Sequence, residues 1–327
     1  MIYSVVAFFL ALALLTWSAD RLVDGTVAAA AHSGMSPRLV GLLVGGFGAA
    51  APELAVGVVA ALAESPSLAV GTAWGANMVL LSLIVGSAAL AGPLVVRSGL
   101  VARELMVLAV AIGLTAVLAL DRELSRWDGL GLLVAFSLLL GWTVRQIRRS
   151  PHDPLPNEAA QGAQALAMPA WRAWAWIALG VIVLAASARL LVWAAADMAH
   201  WLGAGEWLVG LTAMAAGTAL PELVACVALI RRGMSDLVLG HVVGASLFNL
   251  LAVVGLAVLL TPVGIEYAAL HRDLPAMAGL TLALIVLAWR PGRRAARVQP
   301  WAGALLLAAY VAYLGWVLGG YGFSAGG

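Results

Sequence analysis

Two glutamates, Glu53 and Glu222, stand deepest in apolar stretches long enough to cross a membrane. Each follows a proline in a Gly/Ala-rich run, GGFGAAAPE over Gly45–Glu53 and AMAAGTALPE over Ala213–Glu222. A charged side chain at the bilayer centre costs roughly 2.5 to 3.5 kcal/mol on insertion scales. Protonation, a buried arginine or a bound cation must offset that cost, and Arg189, the one arginine away from the ends of an apolar stretch, is the only candidate for a buried arginine partner. Two acids at matching places in two halves of a chain favour one shared cation site. Proline removes a backbone donor and glycine loosens the turn, so a helix break is expected ahead of each carboxylate, freeing carbonyls near Gly46 and Ala215. Two carboxylates with freed carbonyls make a hard-oxygen cage of the kind Ca²⁺ takes, with about six to eight oxygens.

The apolar stretch after each glutamate carries further polar groups, in GTAWGANMVLLSLIVG (Gly71–Gly86) and GHVVGASLFNLLAVVG (Gly240–Gly255). Asn77, Ser246 and Asn249 would be buried amides and a hydroxyl in need of partners. Ser246 and Asn249 are three apart, on one helical face. Gly71/Gly75 and Gly240/Gly244, small residues four apart, predict close helix approach. His241, at one end of its stretch, reads as an interfacial residue or, less simply, as a proton relay.

These residues need scaffolding elements, and composition says of what kind. The chain has 327 residues, 63% hydrophobic and 10% charged, with mean hydropathy +1.01. Sixteen acids and eighteen bases, all of them Arg, cannot solvate such a surface, so the apolar exterior must face lipid. A net charge of +2 without a basic patch excludes nucleic acid as the partner. The single Cys226 excludes a disulfide framework. Ile2–Ser18 lacks a basic leader and runs into more apolar sequence, so it reads as a retained span.

Predicted spans fall at 2–19, 37–62, 68–92, 98–119, 127–147, 171–196, 206–230, 236–261, 273–290 and 299–318, each near the roughly 20 residues a crossing needs. No barrel alternation is present, so the fold class is an all-α membrane protein with ten transmembrane helices. Of the arginines outside Arg189, only Arg122, Arg126 and Arg272 fall on the side of the termini; the rest gather opposite. The positive-inside rule then places both termini outside a prokaryotic inner membrane. Trp74, Trp127, Trp171, Trp193, Trp207 and Trp301, near span ends, read mostly as interfacial anchors. A polar, Pro-containing segment, 148–170, is the cytoplasmic linker between 1–147 and 171–327.

Shifting the sequence by 169 residues superposes Gly48, Pro52, Glu53 and Leu54 on Gly217, Pro221, Glu222 and Leu223, and Gly71, Gly75 and Gly86 on Gly240, Gly244 and Gly255. The halves are repeats. With five spans each, the second crosses upside down, giving two inverted five-helix repeats, a build that places transporter sites at the midplane.

GTALPE (Gly217–Glu222) and GASLFN (Gly244–Asn249) resemble the GTSLPE-like and GSNIFN-like motifs of the cation/Ca²⁺ antiporter superfamily. GAAAPE (Gly48–Glu53) and GANMVL (Gly75–Leu80) match less well, and SADRLVDG (Ser18–Gly25) also looks like that family. The resemblance implies exchange of Ca²⁺ or another divalent cation by alternating access, with inorganic cations and lipid as the partners and no cofactor. It implies the glutamates as Ca²⁺ ligands, with Thr218 and Asn249 matching ion-site positions. The family's hydroxyl positions fall here on Ala49, Ala50, Ala76, Ala219 and Ala245, and the first-repeat counterpart of Asn249 is Leu80. So few oxygens disfavour several Na⁺ ions. A proton, which needs no cage, is favoured slightly over Na⁺ as counter-ion. A binding protein that does not exchange its cation is the alternative. No HExxH or GxSxG pattern suggests an enzyme.

Overall fold

In a computed structural model of the chain, residues 2–35, 37–96, 99–149, 168–231, 233–288 and 296–322 are described. The linker expected at 148–170 lies largely outside them. The helices follow the apolar stretches in chain order: α1 (Ile2–His32), α2 (Pro37–Leu62), α3 (Pro66–Met78, π-helical Val79–Ile84, then Val85–Ala91), α4 (Gly99–Leu118) and α5 (Arg126–Arg149). After the linker come α6 (Ala170–Leu202), α7 (Glu206–Val209, π-helical Gly210–Met214, then Ala215–Arg231) and α8 (Ser235–Phe248, π-helical Asn249–Val253, then Val254–Leu260). The last two are α9 (π-helical Ala269–Asp273, then Leu274–Ala288) and α10 (Pro300–Gly322). Among the described residues, seven helices are long and apolar enough to cross a membrane. Most bounds agree with the predicted spans. α1 and α6 run longer, to His32 and Leu202, because no glycine-proline punctuation stops them at the membrane edge.

α3 and α8 are the central rods. Of α3's most apolar window 94% is buried, against 11% for α5. A helix apolar on every face belongs in the middle of a bundle, and one exposed on most faces belongs against lipid. α3 packs on α7, α8 and α2, while α8 packs on α2, α3 and α4. On one side of this centre α1 and α6 run against each other along their length. Their buried residues, with Val56 and Ala60 of α2, form a separate apolar cluster.

The far ends of the central rods are gripped by the last helix of the other half. Gly86 of α3 meets Gly303 of α10, where a Cβ on Gly303 would lie 2.6 Å from the Gly86 carbonyl oxygen. Gly255 of α8 meets Gly129 of α5 in the same way. Two short antiparallel ribbons repeat the exchange: β1 (Leu94–Val96) pairs with β4 (Ala296–Val298), and β2 (Glu123–Leu124) with β3 (Val263–Gly264).

Two sequence expectations need correction here. Trp127, Trp171, Trp193 and Trp301 are exposed as anchors should be, but Trp74 and Trp207 are fully buried and stack edge to face with centroids 5.2 Å apart. Their rings fill the junction of α3 and α7 instead of meeting headgroups. The expected helix break is also absent: α2 continues as a helix through Pro52. In the second half the irregularity is the π-helical turn Gly210–Met214, which ends before the Pro221 segment. Transmembrane helices tolerate proline without unwinding because local adjustments and neighbouring side chains satisfy the freed groups.

Candidate functional site

Glu53 on α2 and Glu222 on α7 are both buried, at 4% and 8% exposure, within the helix centre. Their charges are close enough to act on one another, and the Thr218 hydroxyl lies beside Glu53. One oxygen of each carboxylate, Oε2, has no hydrogen-bond partner among the described residues. The same holds for Asn77 Oδ1 on α3 and for Ser246 Oγ and Asn249 Oδ1 on α8. Five residues that the sequence singled out thus share one unusual property. Buried polar oxygens nearly always have a partner, so a group of them without one signals a place where something else binds.

Helix contacts bring together the elements that carry these side chains. A Cβ on Gly71 would lie 2.7 Å from the Trp207 carbonyl oxygen, and one on Gly210 would lie 2.6 Å from that of Leu68. A Cβ on Gly75 would collide with the Leu211 carbonyl and the Ala215 methyl. α3 and α7 therefore touch backbone to backbone beside Asn77 and Thr218. Gly57 lets Val253 of α8 approach α2, and Gly217 receives Leu12 of α1. The Asn77 amide nitrogen reaches the Met277 sulfur of α9 at 3.8 Å, leaving its oxygen free to face a ligand. Asn249 opens the π-helical turn of α8, and Asn77 stands just before that of α3. π-helical turns recur at functional sites because the widened turn leaves backbone groups less fully used.

Not every predicted ligand keeps its expected role. The Ala215 carbonyl already accepts the Thr218 hydroxyl at 3.4 Å, and Met214's accepts it at 3.1 Å. In a continuous helix, a proline leaves without a donor the carbonyl four residues earlier, which is Gly217 for Pro221 and Gly48 for Pro52. Those carbonyls replace the ones expected near Ala215 and Gly46; the Gly46 backbone lies within an unbroken helix. Arg189 is exposed on α6 and does not neutralise the glutamates. His241 is less interfacial than expected: its Nε2 is enclosed without a partner among the described residues, one and a half turns before Ser246.

Sequence reasoning left Asp273 among the acids at span ends, yet it is fully buried. It accepts Trp207 Nε1 at 2.9 Å and Tyr313 Oη at 2.8 Å, and pairs with Arg272 at 2.6 Å. It ties the start of α7 to α9 and α10, and so fixes the half of α7 that carries Gly210. A signal was available: under the 169-residue shift Asp273 falls on Glu104, also buried. Asn77 falls on Ser246 in the same way.

The family model described as "Sodium/calcium exchanger protein" matches residues 3–145 and 172–319. The chain belongs to this exchanger family. Membership makes it a membrane transport protein of an antiporter family and not an enzyme. Among curated relatives, the exchanger is 37% identical over 316 residues to CaxA, a candidate antiporter of Alkalimonas amylolytica, covering 96% of this chain and 98% of that one. It is 33% identical over 322 residues to the inner membrane protein YrbG of Escherichia coli, covering 96% of each. Its fold matches the sodium-calcium exchanger NCX_Mj with a TM-score of 0.64 at 24% identity, covering 96% of this chain and 98% of that one.

Proposed function

We propose that this exchanger carries Ca²⁺, or another divalent cation, in one direction and H⁺ or Na⁺ in the other by alternating access. The observation that carries the reading is the set of buried oxygens without partners on Glu53, Glu222, Asn77, Ser246 and Asn249. Two carboxylates and three neutral oxygens match the demands of a hard divalent ion, which seeks oxygen ligands and balances two negative charges. Thr218 and the Gly217 carbonyl complete the lining from α7.

The exchange needs a state in which the divalent ion is absent and the carboxylates are still compensated. Two protons do this at the carboxylates themselves. Several Na⁺ ions would need more oxygens, and Ala50, Ala76, Ala219 and Ala245 are buried methyl groups where hydroxyls would serve. That favours H⁺ slightly.

The frame for this cycle is two inverted repeats of five helices, 1–147 and 171–327, joined by the linker at 148–170. The exchanged grips of α10 on α3 and α5 on α8, the crossed ribbons and the division of the family match support it. Both termini lie outside the inner membrane in this reading, on the distribution of arginines. The long α1–α6 pair slides over the centre.

Uptake of radiolabelled Ca²⁺ into proteoliposomes, under an outward H⁺ or an outward Na⁺ gradient at clamped potential, tests it. Uptake driven by H⁺ alone establishes proton coupling, and uptake driven by Na⁺ means that backbone or water oxygens replace the hydroxyls. Binding without flux under either gradient overturns exchange in favour of a cation-binding relative.

A further inference from the structure

Asn77 carries two unlike atoms at the end of its side chain, and which of them faces a cation decides whether it helps or hinders binding. The amide oxygen can ligate a hard cation, whereas the NH₂ end can only donate, for instance to a carboxylate. The two ends are nearly alike in shape, so the hydrogen-bond network has to choose between them. A thioether sulfur makes that choice: it carries no hydrogen and can only accept, so beside an amide it takes the NH₂ end. Asn77 has such a neighbour in Met277 of α9, whose sulfur lies 3.8 Å from Nδ2, while Oδ1 has no partner among the described residues.

Met277 is firmly held, on a helix that carries none of the five residues with open oxygens. Asp273, Met277 and Thr281 follow one another at four-residue steps, on much the same side of α9, and all three are fully buried. Asp273 bonds Trp207 and Tyr313, and the Thr281 hydroxyl donates to the Met277 carbonyl at 3.0 Å. α9 also packs on α3, which carries Asn77. Under the 169-residue shift, Asn77 and Met277 fall on Ser246 and Leu108. Leu108, on α4, is fully buried and offers no acceptor in its side chain. A hydroxyl can turn either its proton or its lone pairs toward a cavity, so Ser246 needs no such neighbour. The sulfur stands in the half whose polar group has to be oriented, and a leucine takes its place in the half whose polar group orients itself.

We propose that Met277 is a positioning residue for the divalent cation: by accepting the Asn77 N–H, it holds the Asn77 oxygen toward the cation that Glu53 and Glu222 bind. Without the sulfur, the amide turns its NH₂ end to an acceptor in the empty site, and that hydrogen bond must break before the cation enters. The loss falls on cation binding and not on the later exchange step, so affinity drops while the rate at saturating cation stays the same. This deepens the exchange reading above and rests on its cation site. One ordinary hydrogen bond changes an equilibrium constant about two- to ten-fold.

The test is Ca²⁺ affinity, measured by equilibrium binding of radiolabelled Ca²⁺ to the detergent-solubilised protein and by the KM for uptake into proteoliposomes. Met277→Leu nearly conserves volume, so the fold should hold by circular dichroism. It should raise Kd and KM about two- to ten-fold, with the maximal rate unchanged. Met277→Ile, which also lacks the sulfur, should give the same shift. In an Asn77→Ser background, where a hydroxyl orients itself as at Ser246, Met277→Leu should leave Kd and KM where Asn77→Ser alone puts them. Equal fold-changes in the two backgrounds, a change in maximal rate alone, or an unchanged Kd in Met277→Leu overturns the proposal. A protein that binds Ca²⁺ but moves none under any gradient loses the exchange reading, and the Kd comparison still decides for or against Met277. A protein that neither binds nor moves Ca²⁺ loses both.

Discussion

Gly75 of α3 and Gly244 of α8 are related by the 169-residue shift, but the polar groups that follow them differ. A Cβ at Gly75 would strike the Leu211 backbone and the Ala215 methyl. Beyond this tight contact α3 offers Asn77 and then the buried Leu80, while α8 offers Ser246 and Asn249. Sequence equivalence therefore does not mean equal duty. One side is a rigid contact of α3 on α7, held by residues of both halves through the Trp74–Trp207 stack and Asp273, while α8 carries two of the three neutral side-chain oxygens left without a partner among the described residues.

The comparison breaks most visibly at the glutamates, where the halves should still be equal. Glu53→Gln or Glu222→Gln each should abolish Ca²⁺ flux to the level of protein-free vesicles, with the protein still folded and inserted by circular dichroism and size exclusion. Near-normal flux in either variant would mean that one repeat alone holds the ion.

The anchor of the rigid side should cost nearly as much in stability. Asp273→Ala removes the carboxylate from Arg272, Trp207 and Tyr313, and breaking a buried ion pair costs about 3 to 5 kcal/mol. Thermal unfolding in detergent should register the loss. A melting point like that of the unaltered protein would show that α7 is held by other contacts.

A smaller effect belongs to Gly75. Gly75→Ala should destabilise by about 1 to 3 kcal/mol through overpacking against Leu211 and Ala215, with thermal unfolding as the readout. An unchanged melting point would show that α7 yields to the added methyl. Smallest of all, Ala50→Ser with Ala219→Ser restores hydroxyls at two buried positions and should strengthen the Na⁺ dependence of Ca²⁺ uptake by a few-fold at most. No change in cation dependence would show that the alanines do not decide the counter-ion.

The amino-acid sequence by itself determined the apolar helices, the internal similarity at a 169-residue shift and the residues with unmet chemistry. Lipid leaves the backbone no option but helix, and a carboxylate or amide in such a helix is conspicuous because its burial is costly. Glu53, Glu222, Asn77, Ser246 and Asn249 were legible for that reason. What a side chain finds as a partner is a matter of three dimensions, and there only the tertiary structure decided. Thr218 donates its hydroxyl toward the Met214 and Ala215 carbonyls, Trp74 and Trp207 meet each other instead of the interface, and Arg189 is exposed on α6. Asp273 reads in sequence as a solvated span end, and three groups on α7, α9 and α10 make it a buried anchor. The physical reason is common to all of them: composition and spacing fix which groups leave water, whereas the contacts between distant helices fix which of them find a partner there and which do not.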